Sequence, residues 1–172
     1  MAKTIFITGG ARSGKSSLAE TLAQGFGTPL CYVATGEARD AEMSERIVAH
    51  RARRGEGWLT VEEPLRLAQA LRDADGRFRA VLVDCVTLWL TNMLLSHDDA
   101  DRALGEVRAL AGLLPELSTP LLLVSNEVGM GVVPDNALAR TFRDLAGRAN
   151  QILAAAADEV YVSISGIPLK LK

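Results

Sequence analysis

The stretch GGARSGKS, Gly9 to Ser16, limits the possible folds of this chain more than any other. It fits G-x-x-x-x-G-K-[ST], directly after the strand-like run TIFIT (4–8) and directly before a stretch of helical periodicity. In that setting the glycines permit a tight backbone nest whose N–H groups surround phosphate oxygens. The dipole of the following helix adds positive potential, and Lys15 supplies a mobile charge. Ser16 would offer its hydroxyl to Mg²⁺. The alternative is a glycine-rich turn that binds nothing, and the strand before it and the helix after it weigh against that.

Further strand-like runs recur as LCYVA (30–34), AVLVD (80–84), LLLVS (121–125) and VYVSI (160–164). Stretches of helical period lie between them at 15–25, 40–54, 64–74, 100–114 and 136–157. This alternation predicts an α/β fold, a P-loop NTPase-type mainly parallel sheet with helices on both faces, in one domain spanning 1–172. The closing VYVSISGIPLKLK reads as two strands turning at Ser165-Gly166, an antiparallel edge hairpin. Ligands of such sheets bind at the carboxyl ends of the strands. Here those ends are TGGARSGKS, ATGEA, DCVT and SNEVGMG, which places the site on that rim.

Nineteen basic and twenty-one acidic side chains give a net charge of −2, which argues against general attraction to nucleic acid or an anionic membrane. The start of the chain does not read as a signal peptide, and no run offers the roughly 20 uninterrupted apolar residues of a membrane span, so a cytoplasmic location is expected. Cys31 and Cys85 form neither a CxxC motif nor a disulfide framework and read as small buried hydrophobes.

Asp84, at the end of an apolar strand, is the candidate acidic partner of the metal; it is equally placed to cap the helix-like run that starts at 86. A signalling GTPase would carry N-K-x-D after a late strand, where this chain has Asn126-Glu127-Val128-Gly129, which weakens a switch-protein reading.

The stretch SERIVAHRARRG (44–55) puts His50 among four arginines on an expected helix. Arg46, Arg53 and Arg54 flank it at helical spacing. Neighbouring cations disfavour imidazolium, keeping the ring neutral and nucleophilic, and they would also attract a polyphosphate. From the residues alone, a solvated basic helix with an incidental histidine is the preferred reading. His97 sits near the end of a helix-like run and reads as a C-terminal cap.

With GGARSGKS, the histidine helix and SNEVGMGVVPDNALARTFRDLAGRANQ (125–151) in view, the chain closely resembles a known family from its first strand to its terminal SGIPLKLK. That family is the bifunctional adenosylcobinamide kinase/adenosylcobinamide-phosphate guanylyltransferase of cobalamin biosynthesis. The resemblance implies ATP- or GTP-dependent phosphorylation of the aminopropanol arm of adenosylcobinamide. Transfer of GMP from GTP then follows, through an enzyme histidine that His50 matches. By the same match Gly9, Gly10, Ala11, Arg12, Ser13, Gly14, Lys15 and Ser16 would hold nucleotide phosphates, with Lys15 catalytic and Ser16 and Asp84 on Mg²⁺. Ala34, Thr35 and Gly36 would line the nucleotide, and Arg51, Ala52, Arg53, Arg54, Glu62 and Asp84 would contact GTP. Family members often carry Glu at the position of Asp84, so metal, ribose and base all remain open as its partner. The family forms homotrimers, and the Asn126–Pro134 loop, whose glycines permit close backbone approach, reads equally as a contact for the corrinoid or a subunit and as a glycine-dependent structural turn. A kinase without the histidine step and a nucleotide-driven regulatory protein are the competing readings.

Overall fold

The computed structural model describes residues 2–36 and 54–172. Strands β1 (Thr4–Gly9), β2 (Leu30–Ala34), β3 (Trp58–Glu62), β4 (Ala80–Asp84), β5 (Leu121–Asn126), β6 (Glu159–Ile164) and β7 (Ile167–Lys170) join in one sheet of order β3-β2-β4-β5-β1-β6-β7. Every pairing is parallel except β6 with β7. The helices are α1 (Lys15–Gln24), α2 (Leu67–Ala74), α3 (Val86–His97), α4 (Ala100–Leu113) and α5 (Ala137–Ala156). The expected mainly parallel sheet with an antiparallel edge hairpin is therefore the architecture found. No helix among the described residues is long and apolar enough to cross a membrane.

Strands β1, β2, β4 and β5 are apolar on both faces because both are covered. Ile5, Ile7, Leu30, Tyr32, Leu82, Leu122 and Val124 face Ala19 and Ala23 of α1. Phe6, Cys31, Val33, Val83, Leu121 and Leu123 face the opposite layer, where Trp89, Leu90, Val107, Leu110, Ala149 and Leu153 pack from α3, α4 and α5. Asp99 caps α4 by accepting from the Arg102 N–H, and Asn136 caps α5 through the Ala139 N–H. Both cysteines are buried and burial pushes each thiol up to about 11, so they are inert packing groups.

Three differences from the sequence expectations have local causes. Strand β3 was not anticipated: WLTVE is a half-exposed edge strand with only a weak apolar face. Helix α2 starts at Leu67, not 64, because Pro64 precedes it and the Glu63 carboxylate takes the N–H groups of Leu65 and Arg66 at 3.0 and 2.8 Å. Helix α3 begins at Val86 with Cys85 at its cap and no side-chain cap bond, so Asp84 does not cap it. Most of the expected 40–54 helix, with His50, Arg51, Ala52 and Arg53, lies outside the described residues. His97 is the last residue of α3, followed by left-handed Asp98.

At the sheet edge the Ser165-Gly166 turn has φ of 52° and 83°, the sense a two-residue hairpin needs, and it pairs Ile164 with Ile167. Glu159 Oε1 meets Lys170 Nζ at 2.7 Å and Lys3 Nζ at 2.9 Å, joining β7 and the start of β1 to β6. The hydrogen bonds from Lys170 and then Lys3 hold its carboxyl at about 2, against the usual 4.5. A depressed carboxyl stabilises the fold fully above its ordinary value and loses that contribution as pH falls through its folded value. Glu159→Gln should therefore melt a few degrees below wild type near neutral pH, with the gap closing between pH 4.5 and 2 in a melting series. A gap that stays constant across that window would contradict the assignment.

Candidate active site

The loop from Gly9 to Ser16 leaves β1 and turns into α1. Gly14 stands at the helix N-cap with φ 93°, and Arg12 is also left-handed, with φ 57°. Alternating backbone handedness of this kind turns successive N–H groups toward one centre, where an anion fits. Ser13 N donates to the Gly10 carbonyl at 3.3 Å, and Lys15 Nζ donates to the same carbonyl at 3.0 Å. Lys15 is only 8% exposed, so its ammonium is held against the loop and away from bulk solvent.

Beneath the loop lies the C-terminal hairpin. The Ser13 carbonyl accepts from Ser163 Oγ at 2.6 Å and from Gly166 N at 2.9 Å. Contact is so close that a Cβ on Gly9 would overlap the Ser163 carbonyl oxygen and lie 2.6 Å from Ser13 Oγ. Gly9 is required for that approach.

On the far side of the sheet, Glu62, Ala34 and Asp84 form one rung across β3, β2 and β4. Strands spaced about 4.8 Å apart put Asp84 roughly 10 Å and Glu62 roughly 19 Å from β1 across the sheet. The predicted phosphate, metal and nucleoside contacts thus fall in order along a single rim. Thr35 is fully buried, and its hydroxyl donates to the Cys85 carbonyl at 2.7 Å and accepts from Cys85 N at 2.9 Å. Its carbonyl takes Asn92 Nδ2 at 2.7 Å. Thr35 therefore holds the rim together, while Gly36 beside it remains partly exposed.

Two charged side chains in this region carry buried atoms without a hydrogen-bond partner among the described residues: Oδ2 of the half-buried Asp84, and Nε and Nη1 of Arg54. Arg54 is 7% exposed and lies flat on the Tyr32 ring, Cζ 3.4 Å from its centroid, with a long 3.5 Å contact from Nη2 to Thr60 Oγ1. Burial and then the Asp84 charge raise the Tyr32 phenol, which stays protonated. A cation–π contact worth about 2 kcal/mol does not satisfy guanidinium N–H groups removed from water.

Comparison with known proteins gives this site its context. The family model described as cobinamide kinase / cobinamide phosphate guanyltransferase matches residues 5–171. This chain belongs to that family. It is 51% identical over 166 residues to the bifunctional adenosylcobalamin biosynthesis protein CobP of Pseudomonas aeruginosa, covering 96% of this chain and 95% of that one. It is 43% identical over 180 residues to the bifunctional adenosylcobalamin biosynthesis protein CobU of Escherichia coli, covering 98% and 99%. The Salmonella typhimurium CobU protein is 41% identical with the same coverage. Among solved structures, a KaiC-like protein of Pyrococcus horikoshii superposes with a TM-score of 0.55 at 18% identity, over 93% of this chain and 70% of that one. That likeness concerns the fold. As a member of the cobinamide kinase / cobinamide phosphate guanyltransferase family, the chain is an enzyme of cobalamin biosynthesis.

Within this family member, the structure brings Gly9 to Ser16, Ala34, Gly36, Glu62 and Asp84 to one rim, with Arg54 lying on Tyr32 of β2. Sequence reading missed Tyr32, Ser163 and Gly166. It also left unread a network around Glu127, whose Oε1 accepts from Thr8 Oγ1 at 2.7 Å and Asn150 Nδ2 at 3.0 Å. Only the spacing of SNE after β5 hinted at it. Replacing Arg54 by Met keeps an apolar stem on Tyr32 and deletes the unpaired N–H groups. The variant should melt at or above the wild-type temperature while binding nucleotide about 10-fold more weakly, as titration would measure. Wild-type affinity in Arg54→Met would rule out Arg54 as a nucleotide contact.

Proposed function

We propose that this chain first transfers the γ-phosphate of ATP or GTP to the hydroxyl of the aminopropanol arm of adenosylcobinamide. It then moves GMP from GTP, through His50, to adenosylcobinamide phosphate, giving adenosylcobinamide-GDP and pyrophosphate. The observation that carries this reading is a phosphate loop on the same rim as Asp84, whose buried Oδ2 has no hydrogen-bond partner among the described residues, in a chain of this family.

Gly9 to Ser16 enclose the phosphates through backbone N–H groups, and Lys15 neutralises charge on the transferring group. Asp84 Oδ2, buried and unpartnered, fits a hard cation. Mg²⁺ would be held by Asp84 and the Ser16 hydroxyl together with substrate phosphates, and when bound it supplies charge neutralisation. Arg54 and Glu62 reach the nucleoside end. In the second reaction an imidazole nitrogen of His50 bonds to the α-phosphorus as the bond to the β-phosphate breaks and pyrophosphate leaves. A phosphate oxygen of the phosphorylated corrinoid then attacks the same phosphorus and releases the imidazole. Arg46, Arg51, Arg53 and Arg54 around His50 in sequence support a neutral, nucleophilic ring. The resemblance also implies a homotrimer, and the exposed apolar Ile167 and Leu169 of the edge hairpin offer surface for one.

The test is covalent labelling. Purified chain incubated with α-labelled GTP and Mg²⁺ should carry an acid-labile, base-stable GMP adduct that maps to His50. His50→Ala should carry none while phosphorylating adenosylcobinamide at a rate within a few-fold of wild type. Phosphorylation without any adduct in the folded wild-type protein would leave a kinase alone.

A further inference from the structure

Transfer of a phosphoryl group to a hydroxyl leaves a proton to be removed, and neither Lys15 nor a metal-bound carboxylate is suited to take it. Among the described residues, four carboxylates stand at or one residue past the strand ends of this rim: Glu62 on β3, Glu63 just past it with its carboxylate taken by the Leu65 and Arg66 N–H groups, Asp84 on β4, and Glu127 one residue past β5. Glu62 is four strand spacings, roughly 19 Å, from the phosphate-loop strand. Asp84 belongs to the cation. Glu127 is joined directly to the loop, its N–H donating to the Gly9 carbonyl at 3.0 Å.

The side chain of Glu127 is fixed on one oxygen and open on the other. Oε1 takes the Thr8 hydroxyl at 2.7 Å and the Asn150 amide at 3.0 Å. Asn150 is itself held, accepting from the fully buried Ser125 hydroxyl at 2.7 Å and donating to the Asn126 carbonyl at 3.2 Å. Glu127 is half-buried, and its Oε2 reaches solvent with no protein partner among the described residues. Both donors on Oε1 are neutral, and no cation among the described residues pairs with the carboxylate. A glutamine carbonyl would accept the same two bonds equally well. The fold therefore uses one oxygen of this residue and leaves its charge and second oxygen unengaged. The chain then runs into the exposed apolar Met130 and Val132, surface on which a bulky acceptor can lie beside the carboxylate.

We propose that Glu127 is the general base of the phosphorylation step, an assignment that rests on the two-reaction reading above. The acceptor hydroxyl oxygen bonds to the γ-phosphorus as the bridging bond to the β-phosphate breaks and the nucleoside diphosphate leaves. The hydroxyl proton passes to Glu127 Oε2, and from there to solvent once product departs. Attack by His50 on the α-phosphorus makes no use of this carboxylate, so the two reactions separate its effects.

The experiment measures both reactions on the full chain and on Glu127→Gln: phosphate transfer from γ-labelled ATP to adenosylcobinamide, and covalent GMP labelling by α-labelled GTP. In Glu127→Gln the kcat for phosphorylation should fall about 100-fold or more, with acceptor KM within a few-fold and the labelling rate within about two-fold of wild type. Formate should restore part of the phosphorylation rate to Glu127→Ala and leave wild type unchanged. Phosphorylation by Glu127→Gln at close to the wild-type rate would overturn the assignment. A parallel fall in both reactions would also overturn it, because Glu127 would then be a strut of the loop. Should the glutamine variant fail to fold, Glu127→Asp decides: slowed phosphorylation with intact labelling supports the base, and an unchanged rate removes it. A wild-type chain that does not phosphorylate adenosylcobinamide contradicts the two-reaction reading and not the placement of this carboxylate.

Discussion

The carbonyl of Ser13 accepts two hydrogen bonds from the C-terminal hairpin, and the geometry of the phosphate loop depends on them. A loop that turns its N–H groups inward must turn carbonyls outward, and a buried carbonyl without a partner is destabilising. Ser163 Oγ and Gly166 N satisfy this one, and Gly9 lets the two backbones close on each other. The edge hairpin, tied by Glu159 to Lys3 and Lys170, is thus the floor of the site as well as the border of the sheet.

Along the rim, polar groups divide into those satisfied internally and those left open. Thr35, Asn92 and Thr87 stitch the ends of β2, β4 and β5 together, with Asn126 donating to Thr87 Oγ1 through both its backbone and side-chain nitrogens at 2.9 Å. Asp84 Oδ2 and Arg54 Nε and Nη1 are open. In a close-packed interior such groups are costly, and sites are where that cost is retained. The neutral thiol of Cys85 and the protonated phenol of Tyr32 pack between them without adding charge. The charged groups left open here are therefore the Asp84 carboxylate, through Oδ2, and the Arg54 guanidinium, through Nε and Nη1.

The phosphate loop was legible in the sequence because it is local, eight consecutive residues between a strand and a helix. The buried strands were legible because each is apolar on both faces, and the hairpin because Ser165-Gly166 is a turn pair. Strand β3 was not, since an edge strand carrying Thr60 and Glu62 has little pattern to read. Contacts between distant segments were equally hidden. Ser163 reaches Ser13 across 150 residues and Thr8 reaches Glu127 across 119, and no period or motif encodes those pairs. Asp84 was readable as an acid at a strand end, yet that it does not cap the next helix was visible only once that helix began at Val86 with Cys85 at its cap. His50 entered through its arginine neighbours and the family resemblance, and it lies outside the described residues.

The most direct test of the claim that the hairpin sets the phosphate loop is nucleotide affinity in Ser163→Ala. This change removes one hydroxyl from a residue that is 1% exposed and 150 positions from Ser13 in sequence. Loss of its bond to the Ser13 carbonyl should lower stability by about 1 kcal/mol and leave the protein folded. Calorimetric titration of that folded variant with GTP should give a Kd raised about 10-fold, because the loop must then be ordered on binding. An unchanged Kd in a destabilised but folded variant would show that the loop holds its shape without the hairpin.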